Sequence, residues 1–228
     1  MQPQKWCFCF LGIPTPSKMS DFSKKNILAR LNQALQIKTE KPFPAVQNDK
    51  DIFENQTIEN LDIHFAEQFA AVGGQFFYCE NSQELAEQLL NLLSLKKWKK
   101  VACWESFLQD FLHQLELNFI NDTAGLLSVD VAITSCRALV ARTGSVIVDS
   151  WQSKGRGISI VPPAHIVVAR VGQIVANLSD ILPQANLQNN QLPSVWSIVT
   201  GASRTADIEK TLVMGAHGPK EIYVFLLE

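Results

Sequence analysis

The densest run of small, hydroxylated and cationic side chains is Thr200-Gly201-Ala202-Ser203-Arg204-Thr205-Ala206-Asp207. It lies between a β-branched run at Val195 to Val199 and an apolar helical pattern from Ala206 to Gly215. A strand feeding a helix there leaves the helix's first amides unpaired, and such amides hold anions. Gly201 permits close backbone approach. Ser203 and Thr205 present hydroxyls, and Arg204 supplies a charge-assisted clamp for a carboxylate or phosphate. The plainer reading is a routine helix start, capped by Thr205 and with Asp207 and Glu209 favoured by the macrodipole. The spacing leaves both readings open.

A second region holds Thr134-Ser135-Cys136 and then Arg142-Thr143-Gly144-Ser145. Cys136 at a strand end is a nucleophile if a neighbouring positive group lowers its pKa, and a packed structural thiol otherwise. Thr143-Gly144-Ser145 also reads as a simple turn. Between the two regions, Gly155-Arg156-Gly157 fits either an arginine that swings onto a ligand or an exposed turn. His165 runs directly into Ile166-Val167-Val168, which favours a buried, hydrogen-bonded imidazole over a catalytic base. His217, in Gly215-Ala216-His217-Gly218-Pro219, follows the Ala206 pattern, where it can satisfy a helix's last carbonyls. No two histidines have metal-ligand spacing. Neither a nucleophile-elbow G-x-S-x-G nor a phosphate-loop G-x-x-x-x-G-K-[ST] occurs.

These segments must be positioned by alternating elements. Apolar residues recur at helical spacing from Ile27 to Leu35 and from Ile58 to Val72, where Gly73-Gly74 closes the second helix. Between them, residues 38–51 contain Pro42 and Pro44 and read as a linker. Strands are predicted at 75–79, 100–104, 129–134, 145–148, 165–169, 195–199 and 222–227. Helices are predicted after Asn81 or Ser82, around Phe107 to Leu112, near Ile174 to Leu182, and from Ala206 to Gly215. Such alternation implies a largely parallel sheet covered on both faces. Thr134 to Ser145 is barely long enough for a crossover, which leaves an antiparallel pairing open there.

The 228 residues, 46% hydrophobic and 18% charged, suit one large domain with a small extension. Twenty Lys+Arg against 22 Asp+Glu lack the basic footprint of a nucleic-acid binder. The one dense basic run, Lys96-Lys97-Trp98-Lys99-Lys100, reads as positive charge at a helix C-terminus. Five cysteines, with a lone C-x-C at Cys7 and Cys9, argue against a disulfide framework and against an iron–sulfur cluster or metal in this chain. Trp6 to Ile13 is apolar but too short to span a bilayer and lacks a cleavage site, so residues 1–18 read as a disordered leader and the location as cytoplasmic.

Taken in order, several segments resemble the LUD domain. They are Ser135-Cys136 with Ala138, Thr143-Gly144-Ser145, Pro162 to Ala169, Gly201 to Glu209, and Gly215 to Pro219. The chain is most similar to the stand-alone lactate-utilisation protein C subfamily. The resemblance covers residues 75–228, with residues 19–74 as an N-terminal helical extension. It implies a three-layer α/β/α sandwich like that of ribose-5-phosphate isomerase, glucosamine-6-phosphate deaminase (NagB/RpiA) and the CoA transferases. It also implies a place in a system that oxidises L-lactate to pyruvate, with iron–sulfur oxidoreductase companions carrying the cofactors and this chain binding them or a small anion. The alternative is an independent enzyme on a sugar phosphate or acyl-CoA-like ligand. An enzyme of the CoA-transferase kind needs a Glu nucleophile at a strand end, and Glu105, after the strand at Val101, is the sole candidate. Whether the chain is catalytic stays open. The candidate ligand set is Cys136, Thr143, Gly144, Arg156, Gly201, Ser203, Arg204, Thr205, Asp207 and His217, with no reaction roles assigned.

Overall fold

A computed structural model describes residues 19–36, 58–151, 153–181, 193–205 and 213–228. The expected leader at 1–18 and the proline-containing linker lie outside the described residues. The chain divides into two compact units, residues 1–55 and 56–228. Of the first, the described part is helix α1 (Met19–Leu35), which carries Ile27, Leu28, Leu31 and Leu35 as exposed apolar side chains.

The second unit begins with α2 (Leu61–Ala71), β1 (Gln75–Cys79), α3 (Ser82–Lys96), β2 (Val101–Ala102), α4 (Ser106–Gln114) and β3 (Phe119–Ile120). It continues through β4 (Val131–Ser135), β5 (Ala138–Val140), β6 (Ser145–Asp149), β7 (Ala164–Arg170), β8 (Ile174–Val175) and β9 (Trp196–Val199). It ends with β10 (Arg204–Thr205), β11 (Val213–Met214) and β12 (Glu221–Leu227). α2 therefore packs with the α/β body, upstream of the boundary expected at residue 75.

Six strands form one sheet in the order β1-β12-β7-β4-β2-β3, every pairing parallel. β7 and β12 lie inside it, and their sequences, Ala164-His165-Ile166-Val167-Val168-Ala169 and Ile222-Tyr223-Val224-Phe225-Leu226, are nearly continuous apolar runs because both faces are covered. The two-residue pleat sorts them. Ile166, Tyr223 and Phe225 face Leu85, Leu89 and Leu112 of α3 and α4. Val167, Ala169, Ile222, Val224 and Leu226 face the opposite way, onto Phe65 and Phe69 of α2 and onto Leu139, Val146 and Val148. These last residues belong to a second sheet, in the order β8-β5-β6-β9, so the third layer combines a helix with a small mixed sheet.

Local chemistry explains most boundaries. The Asn81 side chain caps α3 by accepting from the Gln83 and Glu84 amides at 3.0 and 2.9 Å. α3 ends at Lys96, which pairs with Glu221 at 2.6 Å, and the Lys99 and Lys100 amides donate to Asp130 at 2.8 and 2.9 Å. The basic run is thus the helix end that its sequence suggested. Of two expected helices, one is replaced by other structure and the other lies mostly outside the described residues. Around Ile174, β-branched Ile174-Val175 pair with Leu139-Val140 as β8. Beyond them, the Asn177 amide donates to Asp180 at 2.8 Å, a capping box that opens only the short 3-10 turn Leu178–Asp180. In the other case, Arg204-Thr205, just before the expected helix, pair antiparallel with Val213-Met214 near its end; residues 206–212 lie outside the described residues. The strands expected on either side of Thr134 to Ser145 do not pair with each other: β4 lies in the main sheet, and β6 joins the second through an antiparallel hairpin with the unexpected β5, turned through Ala141–Thr143 and Gly144.

Gly144 closes that turn at φ +58°, and a Cβ there would fall 2.4 Å from the Phe69 amide nitrogen of α2. Left-handed strain and overpacking together should make Gly144→Ala cost about 2–4 kcal/mol in urea unfolding. Gly172, whose Cβ would meet nothing within 4 Å, is the control. Its replacement by Ala should change stability by no more than about 0.5 kcal/mol, and equal effects at the two sites would contradict the close approach.

Candidate functional site

All parallel strands of the main sheet end on one edge, and ligands of open α/β sheets bind beyond that carboxyl edge. A cleft of about 520 Å³ opens there. Ser135 at the end of β4, Val168 to Arg170 at the end of β7, and Leu227 at the end of β12 line it, together with Glu105 just beyond β2. α3 and α4 contribute Ser82, Leu85, Phe107 and Phe111.

Glu105 is the chemical centre of this cleft. Only 3% exposed, its carboxylate accepts the Ser135 amide at 2.8 Å and the Ser135 hydroxyl at 2.5 Å. One residue of β4 thereby satisfies both carboxylate oxygens and ties the end of β2 to the end of β4. Burial raises the Glu105 pKa above the ordinary value; the two Ser135 bonds oppose this, and the charge of Asp149 adds to it. Lys154 draws it down more weakly from the facing loop. That loop is braced. The Ser153 hydroxyl donates to the carbonyls of Asp149 and Gly155, each at 2.8 Å, and a Cβ on Gly155 would strike the Trp104 ring at 2.3 Å. Lys154, held at φ +51°, reaches Ser106 at 3.2 Å.

Behind Ser135, the Thr134 hydroxyl donates to the Ser135 carbonyl at 2.9 Å and meets His165 Nε2 at 2.8 Å. With that hydroxyl proton committed, His165 must donate from Nε2, so Nδ1 is bare. Burial alone depresses the His165 pKa to about 4 and keeps the ring neutral. This is the buried, hydrogen-bonded histidine that its flanking sequence predicts. The three described cysteines are held as thiols by the same burial. Burial pushes Cys103 up to about 12 and Cys79 to about 11, and raises Cys136, which is fully buried, further still. The nucleophile reading of Cys136 therefore fails; its carbonyl accepts from Gln173 at 2.6 Å, next to the cleft.

The structure gathers four residues of the candidate set, Gly201, Ser203, Arg204 and His217, around a different and more polar cleft of about 600 Å³. There the Ser203 amide donates to Pro219 and the Gly215 amide donates to Ser203, both at 2.9 Å, while the first amides of the expected helix, from Ala206 on, lie outside the described residues. Arg204 donates to the Val72 carbonyl at 3.0 Å, and Gly201 stands so close that a Cβ would fall 2.2 Å from the same oxygen. Both residues dock the C-terminal end of α2, where a cation suits the dipole. Thr205 lies in β10, and Asp207 lies outside the described residues. Thr143, Ser145 and Thr200 form a hydroxyl chain with links of 2.7 Å. Gly144 packs on α2, and Arg156 points away to Ser194 at 3.2 Å. The main cleft's own polar residues Glu105, Ser135, Lys154, Arg170 and Gln173 all fall outside that set. Their signals were faint: an acid directly after the apolar run Val101 to Trp104, and a cation one place before Gly155-Arg156-Gly157. Among the described residues, no cluster of three or more His, Cys, Asp or Glu side chains could hold a metal ion. Nor, among them, is any helix long and apolar enough to cross a membrane.

Comparison with known proteins places this geometry. The LUD domain family model matches residues 63–227. An uncharacterized protein of Neisseria meningitidis is 25% identical over 219 residues, covering 90% of this chain and 93% of its own length. Lactate utilization protein C of Bacillus subtilis is 35% identical over 101 residues, 42% of each chain. The protein of that name from Shouchella clausii is 26% identical over 199 residues, 81% of this chain and 86% of its own. The crystal structure of a DUF162 family protein from Deinococcus radiodurans superposes with a TM-score of 0.55 at 18% identity. It spans 74% of this chain and 96% of that one, a likeness of fold.

His165 supplies a test of the buried network. Its folded pKa of about 4 lies below the value of 6.5 it has when unperturbed. Its contribution to stability is therefore full above pH 6.5 and is lost as the pH falls through 4, about 3 kcal/mol in all. Unfolding free energies from urea titrations between pH 7 and pH 4 should fall by that much less in His165→Asn than in the parent. Parallel curves would mean that the ring is not held neutral.

Proposed function

The chain belongs to the LUD domain family, and from that premise we propose that it serves L-lactate utilisation as a subunit of an iron–sulfur oxidation system, binding a small anionic ligand in the Glu105 cleft. The names of the Bacillus and Shouchella relatives support the pathway. The cleft supports the binding role: a buried carboxylate, fully hydrogen-bonded on one side by Ser135, faces an open cavity at the sheet's carboxyl edge. That placement is the observation on which the reading rests. In it, electron transfer belongs to companion proteins bearing the clusters, and this chain holds and orients a ligand for them. Ser135 fixes the carboxylate, so a ligand hydroxyl meets an acceptor already in place, without the cost of ordering it.

A second reading, an independent enzyme on a sugar phosphate or acyl-CoA-like ligand, is favoured by Glu105 alone. An acid beside a serine hydroxyl at a strand end is a reactive pairing that a purely docking subunit does not need.

Two measurements separate the readings. Deleting the gene should abolish growth on L-lactate as sole carbon source while sparing growth on glucose. Glu105→Gln, supplied in trans and confirmed as folded, should restore growth poorly; unimpaired growth of the deletion strain would overturn the first reading. A thermal-shift panel of sugar phosphates and CoA esters, used in large excess over any expected dissociation constant, tests the second, and a flat response removes it.

A further inference from the structure

The size and polarity of the Glu105 cleft say what kind of molecule fits it, an inference that rests on the ligand-binding reading above. Lactate has six heavy atoms and displaces about as much space as three or four waters, roughly 100 Å³. The cleft holds about 520 Å³, so lactate would leave most of it unfilled. Its wall is largely apolar, formed by Leu85, Leu108, Phe111, Val168 and Leu227. At its mouth, the large aromatic Phe107 leaves 59% of its surface exposed. Polar groups flank that wall. Glu105 is sealed at the floor, while the exposed cations Lys154 and Arg170 stand at the rim. The first turn of α4 opens beside Lys154 with no acidic residue and no side-chain cap on its amides. A negative charge therefore belongs at the rim, and the floor carboxylate would repel it.

We propose that the cleft binds an amphipathic organic anion larger than lactate. Its carboxylate or phosphate head sits at Lys154 and Arg170, its apolar body lies along the Leu85–Phe111 wall, and a hydroxyl or amine at its far end donates to Glu105. The head is held by charge and the body by burial. The far end is selected because a buried carboxylate rejects a ligand that leaves it unpaired.

The test is calorimetric titration of the purified full chain with L-lactate, 6-hydroxyhexanoate, 8-hydroxyoctanoate and octanoate. Each added methylene that enters the cleft should tighten binding about fourfold, with L-lactate the weakest of the four. 8-Hydroxyoctanoate should bind roughly tenfold more tightly than octanoate, and Glu105→Gln should narrow that gap. Lys154→Gln with Arg170→Gln, both exposed and checked for an unchanged melting temperature, should weaken 8-hydroxyoctanoate severalfold and flatten its salt dependence. A flat chain-length series, L-lactate binding as tightly as the eight-carbon acid, or a double variant with full affinity would each overturn the proposal. A flat series with growth on lactate lost in the deletion strain removes this ligand class and leaves the pathway role standing. A steep series with growth unimpaired does the reverse.

Discussion

The Ser135 pair of hydrogen bonds to Glu105 is the constraint on which the functional edge of this molecule depends. A carboxylate taken out of water costs several kcal/mol unless its oxygens are satisfied. Here a backbone amide and a hydroxyl of one residue satisfy both. Because those donors sit at the end of β4 and the carboxylate just past the end of β2, the bonds hold adjacent strand ends in register at the point where the sheet opens. The Thr134 hydroxyl and His165 extend the same network one layer inward, between the main sheet and the second sheet.

That polar layer is affordable only because the rest of the interior is apolar on both faces of the sheet. Leucines of α3 and α4 cover one side, and the phenylalanines of α2 with the inner residues of β5 and β6 cover the other. α2 is held from both ends of the later sequence. Gly144 presses against its backbone at Phe69, and Gly201 with Arg204 closes on its last carbonyl at Val72. Residues that read from sequence as a ligand loop are therefore spent on anchoring a helix.

Much of this was legible in the sequence, and the reasons are local. β7 and β12 announce themselves as continuous β-branched and aromatic runs, α3 by Asn81 before a leucine stripe, and α2 by its stripe and closing Gly73-Gly74. The α/β architecture follows from their alternation, and the shared fold with a family structure agrees. What was not legible depends on distant pairing. Ile174-Val175 is a strand because Leu139-Val140 lies alongside, and Arg204-Thr205 is a strand because Val213-Met214 folds back on it. Likewise the apolar run Val101 to Trp104 marks Glu105 as an acid at a strand end, but nothing near it in sequence shows that it is buried. It becomes the floor of a cleft through a serine thirty positions away.

The most direct measurement of the central claim is a carboxyl ¹³C NMR titration of glutamate-labelled protein, with Glu105→Gln assigning the resonance. Glu105 should titrate above the ordinary 4.5 of a glutamate, and Ser135→Ala, which removes one of its two donors, should move the midpoint higher still. A midpoint in the ordinary range that Ser135→Ala leaves in place would mean that this carboxylate is neither buried nor held by β4, and the account of the cleft would fail with it.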